Sequence, residues 1–376
     1  MKWKMRFGIC LLAALMLGGC GGNKTEPEDS ASQQDEERVI DESKIHIETA
    51  DDVKARQESE ESQETEAPEG QVVSYLTGEY VPEAVGRRRP VAVMLNNIQD
   101  AVPQSGIANA GVVYEAPVEG DITRLMGIFE DYDDLTKIGS VRSCRDYYIF
   151  YAMEFDAIYA HYGQAAYAVP YLEQDFVHNL SGLSSYGSEV YYRTTDRVAP
   201  HNAYTSYEGI QKGIELCGYS QEYSADYDGH YQFAKVGESV ELENGTAANK
   251  VSLDCYSVNK PWFEYDASTQ TYKRFQYGGP QIDELTQEQL AYDNIILQYS
   301  SYKVYDQNGY LNIDPITAGT GKYITHGKAI DIRWEKDAPY GVTHYIDGNE
   351  QEIRLNTGKT WVAIILNDET DSIAIS

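Results

Sequence analysis

AGVVYEAPVEGDITRLMGIFED, residues 110–131, decides how the folded part of this chain is read. Its two halves, 110–119 and 122–131, are rich in Val, Ile, Leu, Tyr and Phe, and Glu119-Gly120-Asp121 separates them. Two β-rich runs joined by so short a polar stretch spell a hairpin. Upstream, VAVMLNN (91–97) reads as a third strand ending in Asn-Asn. Downstream the period changes. Tyr147, Tyr148, Tyr151 and Phe155 recur at helical spacing, so 143–155 reads as an amphipathic helix beginning at Cys144. DAIYAHYG (156–163) returns to strand, and 165–174 and 205–217 read as further helices. Strands alternating with helices predict a mixed α/β domain over 71–216.

The second half differs. Residues 217–247 read as a connection. From 248 to 376 the chain shows alternating, tyrosine-rich runs such as PWFEYDASTQTYKRFQYGG and GKTWVAIILN. Gln307-Asn308-Gly309 and Asp347-Gly348-Asn349 are hairpin turn signals. The expected fold is therefore an α/β N-terminal domain followed by a mainly antiparallel β C-terminal domain.

The N-terminus carries a location signal. MKWKMRFGICLLAALMLGGC has a basic start, an apolar run too short to span a bilayer, and small residues before Cys20. That order is a lipobox. It predicts a signal peptide over 1–20, cleavage before Cys20, and a lipid anchor (palmitate-class acyl chains) holding a lipoprotein on the extracytoplasmic face of a bacterial membrane. Residues 21–70 hold 17 acidic and 5 basic residues and almost no large apolar ones. Such a segment is expected to be a disordered, extended spacer, apart from a short helix considered at 45–56.

The whole chain carries a net charge of −30, which argues against nucleic acid as a partner and makes any cluster of arginines stand out. Of five cysteines, Cys144, Cys217 and Cys255 fall in the folded part. A Cys217–Cys255 bridge and three free thiols both remain open. No CxxC or His-rich spacing suggests a metal, and no GxxxxGK[ST] or GxGxxG suggests a nucleotide, so neither metal nor cofactor is expected.

Against this background, IGSVRSCRDYY (138–148) places Arg142 and Arg145 beside an expected helix start. Ser143 and Asp146 have the spacing of a capping box. A helix N-terminus flanked by arginines suits a carboxylate or phosphate. The alternative is internal ion pairing with Asp121, Asp131, Asp146 or Glu154. Arg124 follows the hairpin turn, His161 ends a strand, and His201-Asn202 precedes a helix. Asn96, Asn97, Arg124, Arg142, Arg145, His161, His201 and Asn202 thus form one candidate ligand-binding set. Glu119, on the turn beside Arg124, is the candidate general acid of a glycan-cleaving enzyme. Cys144 between two arginines is expected to have a lowered thiol pKa. The chain has 32 tyrosines against 8 phenylalanines. Tyr147, Tyr148 and Tyr162 are the ones expected to stack on sugar rings.

The runs RPVAVMLNN, PQSGI, VVYEAPVEGDITRLMGIF, IGSVRSCRDYY, HYGQA and RVAPHN together resemble the YerB-like lipoprotein family, and LNTGKTWVAII resembles that family's C-terminal part. The resemblance covers most of 85–366. It implies an extracytoplasmic lipoprotein of Gram-positive bacteria with two domains and no established activity. The family's motif residues fall on Asn96, Asn97, Pro103, Gln104, Ser105, Gly106, Glu119, Thr123, Arg124, Arg142, Arg145, Pro200, His201 and Asn202. Two positions depart from the pattern: Cys144, where a small residue often Ala is usual, and Asp121, where Gly is common. An alanine there makes Cys144 a poor candidate for shared catalytic chemistry.

Three functions follow from this reading. The first is binding of a cell-wall glycan, stem-peptide carboxylate, wall-polymer phosphate or other anionic envelope component. The second is cleavage of wall glycan with Glu119 as acid. The third is a scaffold that engages an envelope protein partner through the tyrosine-rich β domain.

Overall fold

The computed structural model describes residues 67–336 and 338–376. Cys20, the lipobox, the acidic linker to residue 66 and the helix considered at 45–56 lie outside them. Residues Glu66–Ser376 form one compact unit.

At its centre is an 11-stranded sheet to which both halves of the chain contribute. The hairpin is there: Val112–Pro117 and Thr123–Phe129 pair antiparallel, with Pro117 opposite Thr123. Gly120 and Asp121 take positive φ in the turn, at 80° and 57°, the conformation Gly and Asp tolerate best. Val91–Asn96 lies antiparallel to Thr123–Phe129 and parallel to Ile158–His161, which is in turn parallel to Asn179–Ser181. On the other side of the hairpin, Val112–Pro117 pairs in parallel with Thr360–Leu366 from the far end of the chain. Thr360–Leu366 is also parallel to Asn294–Ser300, which begins a run of antiparallel strands, Ala318–Thr325 and Lys328–Lys336. The segments read as separate domains thus meet strand to strand in one sheet.

The central strands are apolar throughout because both faces are covered. Val91, Val93 and Leu95 point into one core, and Ala92 and Met94 into a second. The first core is closed by a smaller antiparallel sheet that includes Lys250–Leu253, Trp262–Asp266 and Thr271–Gln276, and by helix Tyr207–Cys217. The second is closed by helix Asp146–Met153, which buries Tyr147, Tyr148 and Tyr151. Fourteen of the 32 tyrosines are buried core side chains with a polar tip, and these need no glycan to account for them.

Three expectations need correction. The first half is strand-dominated rather than a regular α/β alternation. The helix expected over 165–174 is a 3-10 turn, Ala166–Ala168, followed by the single turn Val169–Leu172. Pro170 starts that turn but has no N–H to continue a ladder from the preceding one. The helix expected from Cys144 begins at Asp146, with Arg145 at its N-cap position and no side-chain cap. The backbone of Cys144 is already used: its N–H donates to Gly163 O and its carbonyl accepts from Ala165 N–H. Ser143 Oγ meets Tyr162 O instead of capping the helix. By contrast, the helix expected over 205–217 is present as Tyr207–Cys217, capped by Ser206 Oγ, accepting from Gly209 N–H, and closed by Gly218 in the left-handed region.

Candidate functional site

The stretch from Val141 to Cys144 runs extended between the end of one strand and a loop. Arg142 N–H donates to Met94 O, and Arg142 O accepts from Tyr162 N–H. This string of backbone bonds sets Arg142 and Arg145 beside Arg124 of the hairpin.

The three arginines have different partners. Arg145 is bidentate to Glu119, through Nε to Oε2 at 2.9 Å and Nη2 to Oε1, and its guanidinium sits 5.1 Å over the Tyr310 ring. Arg124 is almost fully buried and donates Nη1 to Ser143 O at 2.6 Å. Arg142 donates Nη1 to Pro200 O at 3.3 Å, while its buried Nε has no partner among the described residues. Among the described residues, Glu119 is the one carboxylate ion-paired to any of the three. Ion pairing therefore explains Arg145, though with Glu119 rather than the partners expected. It does not explain Arg124 or Arg142.

The electrostatics agree. Burial, then the charge of Arg145 and more weakly Arg142, pull Arg124 down to about 10 against the opposing pull of Glu119. Burial, Arg145 and Arg193 depress Arg142 likewise. All remain charged at neutral pH, so among the described residues the site holds more positive charge than its one ion-paired carboxylate, Glu119, balances.

Asn96 and His201 complete this corner. Asn96 Nδ2 donates to His201 Nδ1 at 2.8 Å, and Asn96 Oδ1 accepts from Ile98 N–H at 3.4 Å. The amide orientation makes Nδ1 an acceptor, so the neutral imidazole carries its proton on Nε2. Burial and the neighbouring Arg142 lower the His201 pKa, which keeps that form at neutral pH. His201 thus offers one more N–H donor beside Arg142.

The other expected residues lie elsewhere. Asn97 belongs to an interior network: its Nδ2 donates to Glu115 Oε1 and Thr123 Oγ1, and its Oδ1 accepts from Gln104. His161 is wholly buried, with Nδ1 at 2.8 Å from Gly163 O and Nε2 at 3.3 Å from Asn179 Oδ1. Asn202 accepts from Arg193 Nη1 and donates to Thr194 O, so it shapes a loop and holds an arginine. Tyr147 and Tyr148 are buried, with hydroxyls on Pro117 O and Arg124 O, and present no open face to a sugar. Tyr162 is half-buried beneath Arg193.

Glu119 does not suit the acid role. Burial pushes its pKa up, but the hydrogen bonds and charge of Arg145 outweigh this and hold the carboxyl below its ordinary value. A general acid needs the opposite shift. Glu119 does border a cleft of about 320 Å³ with Asp121 and Glu369, and burial with Asp368 and Asp121 pushes Glu369 up.

Cys144 is likewise the reverse of the expectation. Burial dominates and pushes its thiol up to about 12, with Arg145 and Arg124 too weak to offset it. Cys144, Cys217 and Cys255 are all free. Burial also raises Cys255 to about 12. Iodoacetamide should therefore label Cys217 first in the native protein. Peptide mapping that finds Cys144 labelled first would contradict the buried, protonated thiol.

Sequence reasoning missed Arg193. It lies in YYRTTDRVAPHN, the same stretch as His201, and its basic character against an acidic chain was the available signal.

Comparisons with known proteins agree with this architecture. Residues 76–220 match the family described as protein of unknown function (DUF3048), N-terminal domain, and 251–362 match its C-terminal domain. The chain is 33% identical over 303 residues to "Putative lipoprotein YerB" of Bacillus subtilis (strain 168), covering 80% of this chain and 88% of that one. The crystal structure of the YerB protein from Bacillus subtilis superposes with a TM-score of 0.72 at 30% identity, covering 81% of this chain and 99% of that one.

Proposed function

The chain belongs to the DUF3048 family, and from that premise we propose that it is a lipid-anchored envelope protein that binds an anionic cell-wall ligand at Arg142, Arg124 and His201. The observation that carries this reading is that, among the described residues, Arg124 and Arg142 pair with backbone carbonyls, beside an Arg145 whose charge Glu119 already neutralises. A buried and a half-buried guanidinium without carboxylates are costly to the empty protein, and an anion landing between them removes that cost. The lipobox before Cys20 and the lipoprotein name of the Bacillus relative support anchoring on the extracytoplasmic face.

The ligand classes compatible with this site are a phosphate or carboxylate of the wall. The test is co-sedimentation of the full-length protein, in detergent, with sacculi that retain their wall polymers. Wild type should pellet with the wall, and Arg142→Ala should stay in the supernatant at an unchanged melting temperature. Equal pelleting of both proteins would sink the proposal.

A second reading, glycan cleavage, draws on the cleft where Glu119 is pulled down and Glu369 pushed up. Two carboxyls shifted apart suit a base and an acid. Sugar fragments released from the same sacculi, and lost in Glu369→Gln, would favour it.

A further inference from the structure

We propose that the arginine site takes a polyanion, a chain bearing successive phosphate groups, along a row running from Arg145 through Arg124 and Arg142 to Arg193. The inference rests on the anion-binding reading above and adds the class of ligand and a residue that reading does not use.

The row follows from backbone geometry. Arg124 reaches across from the hairpin and ends on Ser143 O, between Arg142 and Arg145. Arg145 Nη1 returns to Cys144 O at 2.8 Å. At the other end, the Arg142 carbonyl accepts from Tyr162 N–H at 3.0 Å, and the Arg193 guanidinium lies 4.7 Å over the Tyr162 ring. The Arg124 and Arg145 guanidiniums are thus anchored on neighbouring carbonyls, and the Arg142 backbone is tied to Tyr162, over whose ring Arg193 lies. The anchors of three are neutral: Ser143 O for Arg124, Pro200 O for Arg142, and Asn202 Oδ1 with the Tyr162 face for Arg193. Among the described residues, Glu119 is the one carboxylate ion-paired to any of the four. One phosphate or carboxylate cannot neutralise the rest, whereas a chain of them meets successive arginines.

Exposure grades along the row. Arg145 and Arg124 are buried, Arg142 is half-buried with its Nε unpartnered, and Arg193 is exposed. A small anion would need only the inner part. A polymer anchored at the inner part continues past Arg193 into solvent.

The experiment titrates the full-length protein in detergent with orthophosphate and with inorganic polyphosphate over a salt series. Polyphosphate should bind more tightly per phosphate, with log affinity falling against log salt at a slope of about 2 or more, against about 1 for orthophosphate. Arg193→Ala should weaken polyphosphate about tenfold and leave orthophosphate unchanged, with Arg193→Lys recovering part of the loss. Equal affinity per phosphate, or no effect of Arg193→Ala, would overturn the polymer inference while a loss in Arg142→Ala still upheld the anion site. If Arg142→Ala changes neither titration, the anion reading itself fails. Micelles doped with phosphatidylglycerol should leave polyphosphate bound. Displacement by them at equal phosphate would assign the row to lipid headgroups and overturn the polymer.

Discussion

Arg274→Ala should lower the unfolding free energy by about 3–5 kcal/mol, read by chemical denaturation, because it strands a buried carboxylate. Arg274 rises from the smaller sheet and Glu115 from the central one. Both side chains are fully buried, with Nη2 2.6 Å from Oε2. The other carboxylate oxygen accepts from Asn97, Thr123 and Asn259, so four donors converge on Glu115. The guanidinium lies 3.9 Å from the Trp361 ring centroid and 4.9 Å from that of Phe263, a placement favourable to a cation. Removing Arg274 takes away both the charge partner and the packing. Replacing both residues by Met should recover part of the loss, since no charge then remains buried, though Asn97 and Asn259 lose an acceptor. A loss below about 1 kcal/mol in Arg274→Ala, the size of an exposed pair, would show that the pair does not join the sheets.

The second large effect is on pH dependence, and two buried groups act in opposite directions. Burial depresses His230 from 6.5 to about 4, with Glu154 opposing. A folded pKa below the unfolded one gives stability that is present above pH 6.5 and lost as pH falls towards 4. Burial raises Glu130 from 4.5 to about 7, against its hydrogen bond from Ser74. Here the stability is present below pH 4.5 and lost as pH rises through 7. Each shift corresponds to about 3 kcal/mol over its window. Glu130→Gln should therefore gain about 3 kcal/mol relative to wild type between pH 4.5 and 7. His230→Phe should gain a similar amount relative to wild type as pH falls from 6.5 to 4. Parallel stability curves for wild type and Glu130→Gln would contradict the buried, protonated carboxyl.

Local structure was legible in the sequence where one element's chemistry decides it. The 110–131 hairpin, the strand read at 91–97, the turn at Gly309 and the helix read over 205–217 all follow from nearby residues. What local patterns do not carry is which strands become neighbours. Thr360–Leu366 lies beside Val112–Pro117, about two hundred and fifty positions away in the chain, and nothing in either run names the other. The same blindness affected the start of the helix read over 143–155. Its capping box was sound chemistry, but Gly163 and Ala165 claimed the Cys144 backbone first.

The candidate site was partly legible for a related reason. Arg124, Arg142, Asn96 and His201 do converge, because their positions at element ends reflect local sequence. Asn97 and His161 share that trait, yet their side chains turn inward to Glu115 and Asn179. Face and burial depend on the register of the whole sheet, and a single sequence does not fix that register. The Glu119–Arg145 pair shows the limit for chemistry as well. Proximity suggested an acid, but a bidentate arginine makes the carboxyl an anion.

On the proposed anion-binding reading, Arg142 is held half-buried for an anion and not for the fold. Calorimetric titration of orthophosphate into the full-length protein, beside Arg142→Ala, tests it most directly. Saturable binding to wild type is expected, with a loss of about tenfold or more in the variant and equal melting temperatures without ligand, because Arg142 gives up one 3.3 Å bond to a carbonyl. Unchanged affinity in Arg142→Ala, or a variant that loses phosphate only because it melts much earlier, would contradict it.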